Sequence, residues 1–382
     1  MRSFLVVVSI LFFLGSPTLS AQELVLDTQE TVKARVVEVV EQETRTVPGT
    51  DTETDFQTLR VEVLEGPEAG KTITVENDFL NLEEGEVFYL MHTKNGLEGI
   101  DLYSVMEPYR LPWLFFFIGL FILSVLLFGG WQGLRGLISL VGSFLFIFYL
   151  LLPGVLHGYS PILITIAVSS VIIVLGSYVT HGFNKTTSSA VLGMIATIIF
   201  TGVLAYIAVN VTRLTGFSSE EAIYLNFDTR GAIDFSGLLL GGILIGLLGV
   251  LYDAAIGQAI SVEELYRIGK HLPRRFIYTR ALRIGREHIG ALVNTLAIAY
   301  VGAALPLLLL FYSSSAPILL TINREIFATE IIRTMIGSIG LVLAVPITTL
   351  VAVWMLIPKT GAAKPEEIQK EKEALEHLEH HH

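Results

Sequence analysis

Seven long apolar runs fill residues 111–357, at roughly 111–128, 134–153, 161–180, 187–209, 233–257, 289–312 and 330–357. An apolar run of about 20 residues spans a bilayer as a helix. Lipid offers no partner to backbone N–H and C=O groups, so such runs must satisfy them internally, as helices do. The expected fold is an α-helical polytopic membrane bundle of about seven spanning helices. A small extracytoplasmic β-barrel, OB-like in strand count, is expected ahead of it.

Charge divides the chain the same way. Only 16% of residues are charged, and mean hydropathy is +0.64, too apolar for an ordinary soluble domain. The net charge is −11, yet residues 22–110 alone hold twenty acids against seven bases. Two regions built for two environments are implied. Arg2, the apolar stretch Phe4–Leu14 and the small residues up to Ala21 read as a signal peptide or signal anchor over 1–21. The partition expected is then 22–108 for the β domain, 109–358 for the helical domain, 359–377 for a cytoplasmic tail and 378–382 for an expression tag. Without cysteine there is no disulfide framework, thiolate metal site or cysteine nucleophile.

Thr31–Glu41 and Phe56–Leu64 alternate apolar and polar residues, as half-buried strands do. Shorter strands are expected at Lys71–Val75, Glu86–His92 and Gly99–Val105. Turns are supplied by Gly66-Pro67, Ala69-Gly70, Glu84-Gly85 and the hairpin pair Asn95-Gly96. Thr44–Asp55 reads as a polar loop or hairpin tip. The acidity of this domain argues against a nucleic-acid role, because phosphate binding needs positive charge.

Basic residues set the orientation. Arg135, Lys185, Arg267, Lys270, Arg274, Arg275, Arg280, Arg283 and Arg286 lie on one side, nine in all, against Arg213, Arg230 and Arg324 on the other. The richer side is cytoplasmic, which puts the β domain outside and the C-terminus inside a bacterial cytoplasmic membrane. Ser160-Pro161 marks a helix start. Ser218 with Glu221 and Ser261 with Glu264 read as capping boxes. Residues 258–288 read as an amphipathic helix on anionic headgroups.

Polar groups inside the apolar runs are the candidates for chemistry. Gly237, Gly241, Gly249, Asp253 and Gly257 form a four-residue ladder that reads as a helix-packing face carrying an intramembrane carboxylate. Asn294, Thr295 and Tyr300 in the next run are candidate solute or ion ligands, and Pro306 and Pro346 candidate kinks. Ser189, Gly193, Thr197, Thr201 and Ala205 make a stripe on which Thr197 and Thr201 could line a wet path. Those hydroxyls could equally bond back to their own helix. No metal site or cofactor is expected. His157, His181 and His288 are scattered, and no Walker loop, HExxH or GxSxG motif is present, so an enzyme is not expected.

The segment Gly249-Val250-Leu251-Tyr252-Asp253-Ala254-Ala255-Ile256, the turn Gly182-Phe183-Asn184-Lys185-Thr186, and the stretch from Asn294 to Gly302 running into Leu305-Pro306-Leu307-Leu308-Leu309 resemble the YibE/F family of bacterial membrane proteins. The resemblance implies a multi-spanning envelope protein and no particular substrate. Two functions are compatible with the residues. One is a transporter or channel for a small solute or ion, coupled to protons or cations through Asp253. The other is a non-transporting scaffold or sensor whose β domain binds an envelope protein. The lipid bilayer is the expected partner in either case, with a homo-oligomer also open.

Overall fold

The structure, a computed structural model, describes residues 28–46, 53–78, 80–94, 101–270 and 272–358. The expected signal segment, the Asn95-Gly96 hairpin, the cytoplasmic tail and the tag lie outside those residues. The chain divides into two compact units, which meet in sequence between Phe121 and Ile122.

The first unit holds a five-stranded antiparallel sheet: β1 (Thr28–Thr46), β2 (Glu53–Val63), β3 (Thr72–Asn77), β4 (Val87–Lys94) and β5 (Asp101–Pro108), in the order β3-β2-β1-β4-β5. It curls into a half-barrel. Register shifts after Val36 and Val39 bend the long β1 so that it serves both halves. The inner face is Val32, Ala34, Val36, Leu59, Val61, Val75, Phe88 and Leu90, the apolar set of the period-2 pattern. The loop expected over Thr44–Asp55 is shorter than that, because Thr44 pairs with Asp55 and Thr46 with Glu53.

The helical elements are α1 (Leu111–Phe146), a π-helical turn (Ile147–Leu151), α2 (Leu152–Leu156), α3 (Pro161–His181), α4 (Lys185–Thr212), α5 (Glu220–Asp228), α6 (Phe235–Ile268), α7 (Arg274–Ala303), α8 (Leu305–Ser313), α9 (Ile318–Asn323) and α10 (Glu325–Leu356). Five helical stretches among the described residues are long and apolar enough to span a membrane, six if α7 and α8, joined at a 70° bend, count as one span. The first two of the seven expected runs share one 46-residue stretch, Leu111–Leu156, broken at Gly130.

In the second unit, α10 packs on α4, α6 and α7, and α6 packs on α3, α4 and α7. The caps follow from local chemistry. Asn184 accepts from the Thr187 amide at 2.7 Å, and Pro161 opens α3 after Ser160. The cap of α5 is Ser219 rather than Ser218. Ser261 caps nothing. It lies inside α6 and donates to the Gly257 carbonyl at 2.9 Å. Residues 258–288 are likewise not one surface helix. They complete α6 and begin α7, where Ile277 and Ala281 are buried and Arg274 Nε donates to the Ile357 carbonyl at 2.9 Å. A guanidinium there caps the C-terminus of α10.

Candidate functional site: a polar seam inside the helical bundle

The stripe Ser189, Gly193, Thr197, Thr201 and Ala205 on α4 is buried. It faces Gly337, Gly340, Ala344 and Thr348 of α10, also buried. The two helices run antiparallel and interlock through their glycines. A side chain at Gly193 would begin 2.5 Å from Thr348 Oγ1, and one at Gly340 would begin 2.7 Å from Thr201 Oγ1. Backbones that close exclude any larger side chain and place each hydroxyl against the opposite helix.

The hydroxyls on this seam behave in two ways. Thr197 donates to the Gly193 carbonyl at 2.8 Å, Thr349 to Val345 at 2.6 Å, and Ser189 to Thr186 at 2.8 Å. These are the ordinary back-bonds of helical Ser and Thr. Thr201, Thr329 and Thr348 do not make them. All three are buried, and their Oγ1 atoms have no hydrogen-bond partner. A buried polar atom left unpaired costs about 1–3 kcal/mol, so each of the three would gain from a polar partner that reached it; Ser169 and Ser177 on α3 are unpartnered in the same way.

The part of the seam near the start of α10 is charged. Arg333 Nη1 meets Glu330 at 3.0 Å, one turn apart on α10, and Arg333 Nε is buried and unpartnered. Tyr300 reaches in from α7 between two glycines. Its hydroxyl lies 2.8 Å from where a Gly246 side chain would begin and 3.9 Å from that of Gly337, and it too is unpartnered. Gly337, against which Tyr300 lies, is one turn from Arg333 on α10. Four residues beyond Tyr300, the chain bends by 70° at Ala304 and restarts with Pro306 in the first turn of α8, so Pro306 marks a real break. The ring of Phe311 on α8 packs edge-on against Phe327 of α10, 5.6 Å between centroids. Pro346, in contrast, breaks nothing, and α10 runs through it to Leu356. The pair Glu330–Arg333 escaped the reading of the sequence. Its signal was two opposite charges three residues apart inside the last apolar run.

Three of the expected ligands stand elsewhere. Asp253, Asn294 and Thr295 are exposed on the outside of this bundle, and Thr295 donates back to Ala291 at 2.8 Å. No hydrogen bond or ion pair joins Asp253 to Asn294 or to a loop arginine among the described residues. The glycine ladder explains the error. Steps of four residues drift by about 40° each around a helix of 3.6 residues per turn, so the ladder winds about 200° from Gly237 to Gly257. Gly237 and Gly241 face inward, where a side chain would begin 3.2 Å from Pro161 Cδ at the first and 2.6 Å from Thr165 Oγ1 at the second. Gly249 and Gly257 face open space. The buried face of α6 at that level is Leu247, Leu251, Ala255, Ala259 and Val262.

A curled β unit followed by a bundle of apolar helices with a polar seam defines a polytopic membrane protein. Residues 117–358 match the YibE/F-like protein family, so the chain belongs to that family. No curated protein and no solved structure matches the chain.

Proposed function

We propose that this protein is a transporter or channel for a small solute or ion, with its path along the seam between α4, α6, α7 and α10. One observation carries the reading: three buried hydroxyls spread along one seam, none bonded to its own helix. From Thr329 to Thr348 the seam spans about 28 Å at 1.5 Å per residue. That nearly matches a hydrocarbon core of about 30 Å.

The topology that fits is seven crossings. Glu325 at the start of α10 accepts from the Thr215 and Gly216 amides, each at 2.8 Å, in the loop after α4. The start of α10 and the end of α4 therefore share a side, and the chain must cross between α6 and α10, through α7 and α8. The 46 residues of the first stretch would measure about 69 Å as one helix, more than twice the membrane. At Gly130 the backbone takes φ 51° and ψ −136°, and a side chain at Gly133 would run into the Val125 carbonyl. Residues eight apart on a straight helix are about 12 Å apart, which supports a reversal here and two crossings. Nine basic residues on one side then favour an N-terminal unit outside the cytoplasmic membrane and a C-terminus inside. The strand order suits an OB-like barrel, and an envelope protein is the partner such a domain would take.

Asp253 lies about 27 Å along α6 from Phe235, near the inner edge of the core. Coupling to protons or cations through it enters only at the cytoplasmic mouth. A second copy of the chain against this face would cover the exposed carboxylate.

Flux tests the reading. In liposomes, Thr201→Val with Thr348→Val removes two path hydroxyls at nearly constant volume, and uptake should fall at least about tenfold, one lost hydrogen-bond partner each. Asp253→Asn should alter only the pH dependence of uptake. Ion and solute fluxes that are absent from the parent protein would instead favour the second reading, an envelope scaffold or sensor.

A further inference from the structure

We propose that Arg333, Tyr300 and Thr329 form a binding site for a small, singly charged anion, either a halide or the carboxylate of an organic solute. The proposal rests on the transport reading and names the substrate class of that path. Thr329, Arg333 and Gly337 follow one another at four-residue spacing on α10, and Tyr300 lies against Gly337. Thr329 and Arg333 thus share one face of α10, and Tyr300 reaches that face from α7 at Gly337, one turn beyond Arg333. Each carries an unpartnered buried polar atom: Thr329 Oγ1, Arg333 Nε and the Tyr300 hydroxyl. All three can donate, and a guanidinium nitrogen can do nothing else, so the guest must accept.

Glu330 decides the charge. It holds Arg333 through Nη1 at 3.0 Å and leaves Nε free. The pair is neutral together, so a doubly charged phosphate or sulfate would be repelled by Glu330. A single carboxylate or halide can take the free donors, or displace Glu330 from the guanidinium fork. The site lies where α7 breaks and α8 folds back onto α10 through Phe311 and Phe327, the kind of helix discontinuity at which transporters bind solutes. Arg333 is about 12 Å inward of Glu325, so a headgroup position does not account for its buried Nε.

The test is thermal unfolding of the full-length protein in detergent, titrated with sodium acetate, sodium chloride or sodium sulfate. Ionic strength is held constant with sodium isethionate. Acetate or chloride should raise Tm saturably and sulfate should not; acetate alone marks an organic carboxylate, chloride alone a halide. Arg333→Gln should weaken the apparent affinity about tenfold to a hundredfold, the loss expected for a hydrogen bond to a charged group. Tyr300→Phe and Thr329→Val keep the ion pair, and each should weaken it several-fold. Glu330→Gln removes the competing carboxylate and should tighten binding. A purely structural ion pair would lower Tm in both Glu330→Gln and Arg333→Gln without any anion dependence. No saturable shift in the parent, or parent-like affinity in both Tyr300→Phe and Thr329→Val, would overturn the site. Saturable binding in a protein that carries no flux would keep the site and overturn the transport reading alone.

Discussion

A glycine in this bundle matters according to what its missing side chain would meet. At Gly193 the nearest atoms are Thr348 Oγ1 at 2.5 Å and Thr348 Cα at 2.8 Å, one of them backbone that cannot step aside. At Gly249 nothing lies within 4 Å. Both are glycines of an apolar helix with small residues close by in sequence, Ser189 and Thr197 for Gly193 and Gly246 for Gly249, so composition does not separate them. Gly193→Leu should force α4 and α10 apart and lower the detergent melting temperature by several degrees, an overpacking cost of about 1–3 kcal/mol or more. Gly249→Leu should melt with the parent. Equal destabilisation by both would mean that a surface outside this chain covers Gly249. Gly241→Leu belongs with Gly193→Leu, since it would meet Thr165.

At the scale of elements, the half-barrel shows a polar cluster with a pH consequence. His92 Nε2 and Asp101 Oδ1 meet at 3.0 Å across β4 and β5, and His92 stacks on Tyr103 with ring centroids 4.6 Å apart. The His92 bond holds the Asp101 carboxyl below its usual 3.8. The Tyr103 hydroxyl, and then Lys71, hold Glu68 below its usual 4.5. A carboxyl whose folded pKa is depressed stabilises the fold above its unfolded pKa and loses that contribution as pH falls through the folded one. The sheet should therefore loosen on acidification from about pH 5 to about pH 3. Pepsin cleavage within residues 28–108 of the full-length protein should rise over that window. Asp101→Asn should start more susceptible and change less with pH; an acid response identical to the parent would count against the pair. The elements were easier to read in the sequence than the contacts between them. Strand alternation at period 2 and 20-residue apolar runs act locally, so β1 to β5, α3, α4 and α6 stand close to where the residues put them. The inward face of α6 was not legible, because Leu, Ile and Gly alternate around it without a polar side to fix the phase. Glu330 and Arg333 were hidden for a related reason: charges near the end of an apolar run look like its flank until a neighbouring helix brings Tyr300 beside them.

For the whole molecule, the number of crossings and the sides of the membrane constrain each other. Pro161 at the start of α3 lies 3.2 Å from where a Gly237 side chain would begin, near the start of α6, and Glu325 ties the start of α10 to the loop after α4. These contacts put the starts of α3, α6 and α10 on one side. If α7 with α8 makes one crossing, five crossings lead from residue 161 to residue 358. If the chain reverses at Gly130, two more precede them, the total is odd, and residue 110 lies opposite the C-terminal end of α10. If Leu111–Leu156 crossed once, the total would be even and both would share a side. The chain has no native cysteine, so one introduced thiol reports on one position. Glu84→Cys, in an exposed turn of the β unit, should react with an impermeant maleimide in intact cells. Lys270→Cys, exposed between α6 and α7, should react only after the cells are opened. Protection of both positions in intact cells would place the β unit in the cytoplasm, fit a single crossing over 111–156, and overturn the reversal at Gly130. Reaction at Lys270 alone would invert the bundle, and the site around Arg333 would then open toward the cytoplasm.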